Sequence, residues 1–194
     1  FLQFKQTGTS QNSSGIGADT SGNDNHFAVT NLASTDITED TCTNNFMTLN
    51  SVLADGQFNS SELSEGNTFY NEGQGNNGSG QPTGTFAFNS GKWYWEVQVP
   101  SEQNNRAIGF CRMDRVGIDQ PPQLHGTGFT ATNSVVGINL QDDTIDQVDN
   151  AGTHTQHASG LTGMSNNDIF GVAVNLDDGN FQFYRNGSTY GSSY

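Results

Sequence analysis

The chain has 194 residues, which suits one domain or one domain with an ordered leader. Only 13% of its residues are charged, against about 25% in an average protein, and 6 Lys and Arg face 20 Asp and Glu for a net charge of −14. So acidic a surface repels nucleic acids and anionic lipids, and no apolar run approaches the ~20 residues that cross a bilayer. We therefore predict no nucleic-acid partner and no membrane insertion.

Residues 1–82 are rich in Gly, Asn, Ser and Thr and contain only short apolar groups. The stretch 71–82 offers almost nothing that could be buried, which is typical of an exposed loop or linker. We predict an extended leader over 1–82, with short strands that pack on a domain formed by 83–194. Because the chain begins at Phe1, without a Met, we expect it to be part of something longer.

From Phe86 onward, apolar and polar residues alternate with the period of two that indicates half-buried strands. Five strands are predicted, and each apolar face must be covered by another layer. The sequence therefore predicts an all-β, antiparallel β-sandwich. Its predicted core residues are Trp93, Trp95, Val97, Ile108, Phe110, Ile138, Val172, Val174, Leu176, Phe181 and Phe183.

Two dipeptides separate the last strands. Asp178-Gly179 and Asn186-Gly187 are of the kind that favours positive φ in hairpin turns. They predict two successive hairpins and hence a meander of three antiparallel strands.

Four segments in this order resemble a SPRY domain: 90–97 (SGKWYWEV), 107–110 (AIGF), 136–138 (VGI) and 169–187 (IFGVAVNLDDGNFQFYRNG). The resemblance implies a concanavalin-like jelly roll over about 83–194 that binds partners through loops at one end. The chain stops at Tyr194, before the closing strands that such a sandwich normally has. We therefore expect a truncated C-terminal end, and further residues or a partner subunit that cover the edge left by the last hairpin.

Residues 17–27 and 40–50 resemble the leader that precedes SPRY-like domains in tail-fibre and adhesin-like proteins of marine bacteriophages, although Cys42 stands where those leaders commonly have Pro. The resemblance implies a virion or extracellular location. It also implies a host-surface glycan or protein as partner, together with other copies or subunits of the fibre.

The residues give little support for catalysis. Concanavalin-like glycosidases use a Glu-x-Asp-x-x-Glu strand, which is absent, and Glu96 is the only acid in a predicted strand. No Gly-x-Ser-x-Gly motif accompanies Cys42 or Cys111. Those cysteines allow at most one disulfide, with two buried thiols as the alternative. We predict a protein with no catalytic residues.

Two groups of residues could hold a metal ion. His154 and His157 would point to opposite faces of a strand, so we interpret them as solvated loop histidines. Asp142, Asp143 and Asp146 lie in a predicted polar loop and offer oxygen ligands for Ca²⁺, but without the spacing of an EF-hand. We predict no cofactor and keep calcium as a weaker alternative.

The strongest binding candidate is the loop 112–126, which contains two of the six cations. Its candidate ligand-binding residues are Arg112, Asp114, Arg115, Asp119, Gln123 and His125. The arginines could equally pair with Asp114 and Asp119 and only pin the loop. We predict a non-enzymatic adhesion module of a phage structural protein. The alternatives are an architectural subunit that contacts neighbouring copies and a glycan-cleaving enzyme on the same fold.

Overall fold

The computed structural model describes residues 1–32, 43–52, 63–71, 82–101, 107–115 and 134–194. These ranges contain strands and a 3₁₀ turn at Met113–Arg115, and none of their residues belongs to a helix that could cross a membrane. The strands are β1 (Leu63–Ser64), β2 (Phe69–Tyr70), β3 (Lys92–Val99), β4 (Ala107–Cys111), β5 (Val135–Asn139), β6 (Thr144–Val148), β7 (His154–Ala158), β8 (Asp168–Asn175), β9 (Asn180–Arg185) and β10 (Ser188–Tyr190).

The described part of residues 1–82 contains little regular structure. β1 and β2 form a short hairpin, and isolated bridges join Leu2 to Asp19 and Gly8 to Gly15. A further bridge joins Leu49 to Gly84, next to a hydrogen bond from Thr85 N to Thr48 O of 2.8 Å. The segment before β3 is therefore attached to the leader, and the predicted boundary at residue 82 stays a prediction.

Two four-stranded antiparallel sheets form the main body, with the orders β10-β9-β8-β3 and β4-β5-β6-β7. Buried side chains of both sheets meet in one cluster: Ile138, Leu140 and Ile145 come from the second sheet or its hairpin, and Phe170, Val172, Val174, Phe181 and Phe183 come from the first. Trp95, Ile108 and Phe110 are half-buried and pack against the cluster. The predicted antiparallel β-sandwich is confirmed.

Two residues expected in the core are exposed. Trp93 is 40% exposed because it lies near the start of an end strand, where the ring of Phe88 covers one face at 3.8 Å. Leu176 is 37% exposed, because β8 ends at Asn175 and Leu176 already belongs to the turn. Val97 is only half-buried, on the same end strand as Trp93.

The acidic segment predicted as a loop is instead a strand. After the turn at 140–143, β6 pairs with β5, and β7 pairs with β6 with a register shift between Ile145 and Asp146. Both predicted loop histidines therefore lie on a strand. Sequence patterning missed β6 and β7 because polar residues dominate them.

The predicted meander of β8, β9 and β10 is confirmed. Asn186 and Gly187 have φ values of 49° and 77° and form the two-residue turn between the paired Arg185 and Ser188, as a primed hairpin turn requires. The preceding turn has four residues, 176–179, and only Gly179 among them has a positive φ, of 71°.

The last residues turn back onto the sheet. Tyr194 exchanges two backbone hydrogen bonds with Phe181, at 2.7 and 3.0 Å, and its ring lies against Phe181 and His157. The prediction that a partner or further residues cover the edge beside β10 stays a prediction.

Candidate functional site

The root of the predicted binding loop is held by Arg112, which directly follows β4. Its guanidinium donates two hydrogen bonds to the carboxylate of Asp114, Nε to Oδ1 at 3.0 Å and Nη2 to Oδ2 at 2.8 Å. A third hydrogen bond runs from Nη1 to Asn150 Oδ1 at 2.6 Å. Arg112 therefore joins the 3₁₀ turn to the turn between β6 and β7, which lies 38 residues further along the chain.

The turn that contains Asn150 is itself braced. Asp149 Oδ1 accepts hydrogen bonds from the backbone amides of Ala151 and Thr153, both at 2.8 Å. These bonds, chiefly the one with Thr153, lower the pKa of Asp149 below its ordinary value despite partial desolvation. At neutral pH the carboxylate is charged and accepts both hydrogen bonds, which stabilise the turn beside Arg112.

The ion pair between Arg112 and Asp114 agrees with the alternative interpretation of this loop, in which the arginines pair with Asp114 and Asp119 and only hold the loop in place. Arg115 contributes to the 3₁₀ turn through its backbone, and Met113 between them is 69% exposed. Asp119, Gln123 and His125 lie outside the described residues. The described part of the loop is therefore a hydrogen-bonded root that presents the exposed apolar side chain of Met113.

Cys111, the last residue of β4, carries a free, half-buried thiol. Burial raises the pKa of this thiol, and the charge of Asp114 raises it further. The cysteine is therefore protonated and unreactive at neutral pH. Cys42 lies outside the described residues.

The three calcium candidates lie in the turn before β6 and in β6 itself, and the alternative of a calcium site stays a prediction. Asp146 is buried in β6, where it accepts hydrogen bonds from Thr144 Oγ1 and, at 2.9 Å, pairs with Nε2 of His154. Asp142 accepts a hydrogen bond from Asn139 Nδ2 at 2.9 Å, and the backbone oxygen of Asp143 accepts one from Leu161. Within the ranges that the structure describes, no three His, Cys, Asp or Glu side chains are grouped to hold an ion.

His157 is packed rather than solvated. Its Nε2 lies 2.8 Å from Gln147 Oε1, and its ring contacts Phe181 and Tyr194. Burial lowers the pKa of His157 below 6.5, although the charge of Asp146 acts in the opposite direction. The imidazole therefore stays neutral at pH 7 and belongs to the packing between the sheets.

Asp168 and Arg185 form a buried ion pair at the end of the first sheet where β8 begins and β9 ends. The sequence pattern did not indicate this pair. Asp168 accepts hydrogen bonds from Ser165 N at 2.7 Å, Arg185 Nε at 2.8 Å and Asn186 Nδ2 at 2.7 Å. Arg185 also donates to Thr162 O at 2.8 Å. Burial alone would raise the pKa of Asp168, but these hydrogen bonds and the charge of Arg185 outweigh it and lower the pKa. The network ties the connection before β8 to the β9–β10 turn.

Exposed aromatic rings line β3. Tyr94 is 55% exposed on the outer face of the sheet, donates to Glu96 Oε1 at 2.7 Å and meets the ring of Tyr184 at 6.1 Å. The hydrogen bond with Glu96 raises the pKa of Tyr94. Near the start of the strand, Trp93 and residues 85–90 line a shallow groove. Glu96 thus lies on the exposed face of the sheet, where its carboxylate accepts the hydrogen bond from Tyr94.

Two antiparallel sheets around one apolar core, with a hydrogen-bonded loop root beside the end of β4, define a β-sandwich. The family model of the SPRY domain matches residues 92–194. The chain belongs to the SPRY family, whose members are protein-interaction modules and are generally non-catalytic.

One solved structure illustrates the similarity. The SPRY domain of human HERC1, known from a crystal structure, is 14% identical with a TM-score of 0.35, over 55% of this chain and 59% of its own. This chain therefore spans less than two thirds of that domain. No curated protein matches the chain.

Proposed function

We propose that this protein is a non-enzymatic adhesion module of a bacteriophage structural protein, such as a tail fibre, on the outside of the virion. It attaches to a protein or glycan of the host surface through the loop that leaves β4. The binding character of the SPRY family supports the first part of this proposal. The likeness of residues 17–27 and 40–50 to phage leaders supports the second.

The observation that carries the proposed binding surface is the brace at Arg112. Its three side-chain hydrogen bonds link the loop root to the neighbouring 149–153 turn before any partner arrives. Preorganised contact groups lose less entropy on binding. Met113, exposed on this hydrogen-bonded root, supplies an apolar contact of the adaptable kind found at binding surfaces.

Binding of the fluorescently labelled chain to whole cells of a panel of marine bacteria tests the proposal. We expect at least one strain to bind, and we expect protease or periodate treatment of the cells to remove binding according to whether the receptor is a protein or a glycan. Arg112→Ala and Met113→Ala should each weaken binding about tenfold, since truncation of a residue at the centre of an interface costs roughly 1.4 kcal/mol or more.

Val52→Ala is the matched control, because Val52 is also an exposed apolar residue and lies in the leader, at 85% exposure. Its affinity should equal that of the unchanged chain. Binding to no strain, or equal binding by all three variants with their folds intact, would contradict the proposal.

A further inference from the structure

One edge of the end strand β3 has no neighbouring strand within the described ranges. β8 is its only strand neighbour in the described residues, and the hydrogen bonds Leu176 N to Gly91 O and Asn167 N to Val99 O fix which residues bond to β8. In an antiparallel pair, bonding residues alternate with residues whose amide and carbonyl point the other way. The odd-numbered residues of β3 therefore bond to β8. The backbone N–H and C=O groups of the even-numbered residues point the other way, in the plane of the sheet and away from β8; these residues are Lys92, Tyr94, Glu96 and Gln98.

This edge carries few of the features that normally protect an end strand. β3 is eight residues long and its register with β8 runs without a bulge from Lys92 to Val99. Short length, bulges or internal prolines usually block the addition of another strand at such an edge. The first proline of this region, Pro100, follows the strand.

The side chains beside the edge are incompletely covered. Trp93 is 40% exposed, and Trp95 and Val97 are half-buried, although all three point toward the sandwich interior. Across the core, Phe110 of the end strand β4 meets Trp95 at 6.4 Å and is also half-buried. An added strand would shield apolar surface along this side of the sandwich.

The charges on the outer face of β3 are self-complementary. Lys92 and Glu96 have opposite charges, lie on the same face and flank Tyr94 at equal distances along the strand. An antiparallel copy of β3 centred on Tyr94 places each Lys92 opposite Glu96 of the second copy. It also places each Trp93 opposite Trp95 of the second copy on the inner face. Cross-strand pairs of opposite charge and of aromatic rings both stabilise sheets.

We propose that β3 is a dimer interface, in which two copies of this chain pair edge to edge around a two-fold axis at Tyr94. The occupant of the edge is thus a second copy, and the two sheets join into one continuous sheet. The net charge of −14 per chain opposes the association, but at 0.15 M salt exposed charges more than ~8 Å apart are largely screened. The interface does not include Arg112. A test of the dimer is therefore independent of a test of the proposed adhesion.

Sedimentation equilibrium at 0.15 M salt tests this interface through a charge exchange. Lys92→Glu and Glu96→Lys each place two pairs of like charges opposite one another and should weaken the dimer about tenfold. The double variant Lys92→Glu/Glu96→Lys restores both pairs and should return to the original affinity. Lys5→Glu is the matched control, since it makes the same charge change in the exposed leader and should leave the dimer unchanged.

A second pair of variants tests the backbone pairing itself. Tyr94→Pro removes an amide that points off the sheet, without breaking a bond to β8, and should yield a folded monomer. Tyr94→Thr removes the same ring but keeps the amide, so it should remain largely dimeric. A chain that stays monomeric up to about 100 µM, a double variant as weak as the single ones, or a folded Tyr94→Pro dimer would each overturn the proposal.

Discussion

Replacement of Asp168 by Ala should destabilise the sandwich strongly. The substitution removes three hydrogen bonds, of 2.7, 2.8 and 2.7 Å, and leaves Nε of Arg185 and the amide of Ser165 without their acceptor. Truncation of one member of a buried ion pair costs about 3–5 kcal/mol, and the lower end applies because Arg185 can still reach solvent. We expect a loss of about 3 kcal/mol, a large part of the 5–15 kcal/mol that stabilises a typical domain.

Urea unfolding followed by far-UV circular dichroism measures this loss. Asp178→Ala is the matched control, because Asp178 is exposed and its carboxylate accepts a single hydrogen bond within the described ranges, from Asn175 Nδ2 at 2.6 Å. The control should change the free energy of unfolding by less than about 0.5 kcal/mol. A loss below about 1 kcal/mol for Asp168→Ala would show that the network contributes little and would refute the reasoning.

The same ion pair predicts an acid transition. The pKa of Asp168 lies below its ordinary 3.8 in the folded protein, so folding favours the charged form. Its contribution is fully present above pH 3.8 and disappears as the pH falls through the folded-state pKa. The difference in stability between the unchanged chain and Asp168→Ala should therefore shrink below that pH.

Three further outcomes are expected. Gly109→Ala should lower the free energy of unfolding in urea by about 2–3 kcal/mol, because its Cβ would lie 2.0 Å from the backbone oxygen of Val136 and would push β4 away from β5. An unchanged free energy would mean that the two strands are not so closely paired. Gly187→Val should cost about 1–2 kcal/mol because its φ is 77°, and an unchanged midpoint would contradict the assigned turn. Burial lowers the pKa of His157 below 6.5, so the melting temperature should fall as the pH drops below 6.5. His157→Gln should flatten that slope, and an NMR titration midpoint at or above 6.5 would argue against the packed imidazole.

The strands that the sequence predicted share one physical property. In β3, β8 and β9 one face packs on the core and the other is wetter, so burial imposes an alternation that can be read directly. β6 breaks this rule because both of its faces mix polar and apolar residues, and Asp146 is buried only through bonds to Thr144 and His154. The contact with His154 comes from the neighbouring strand β7. The residues around Asp146 therefore show no local alternation that would predict a strand.

The candidate site was predictable only in part. The pairing of Arg112 with Asp114 is local, and the sequence indicated it as one of two alternatives. The contact with Asn150 depends on how β4, β5 and β6 align side by side, which residue spacing does not specify. The network around Asp168 was missed for the same reason, since its members meet only where three separate segments converge.

The position of the tryptophans on β3 has an optical consequence. The chain has two, Trp93 and Trp95, and they lie on the same strand with unequal exposure. All tryptophan emission therefore originates from a single edge of the molecule. Acrylamide should quench the outer indole before the inner one, and occupation of that edge should shift the emission to the blue, which makes the unlabelled protein a reporter of its own assembly.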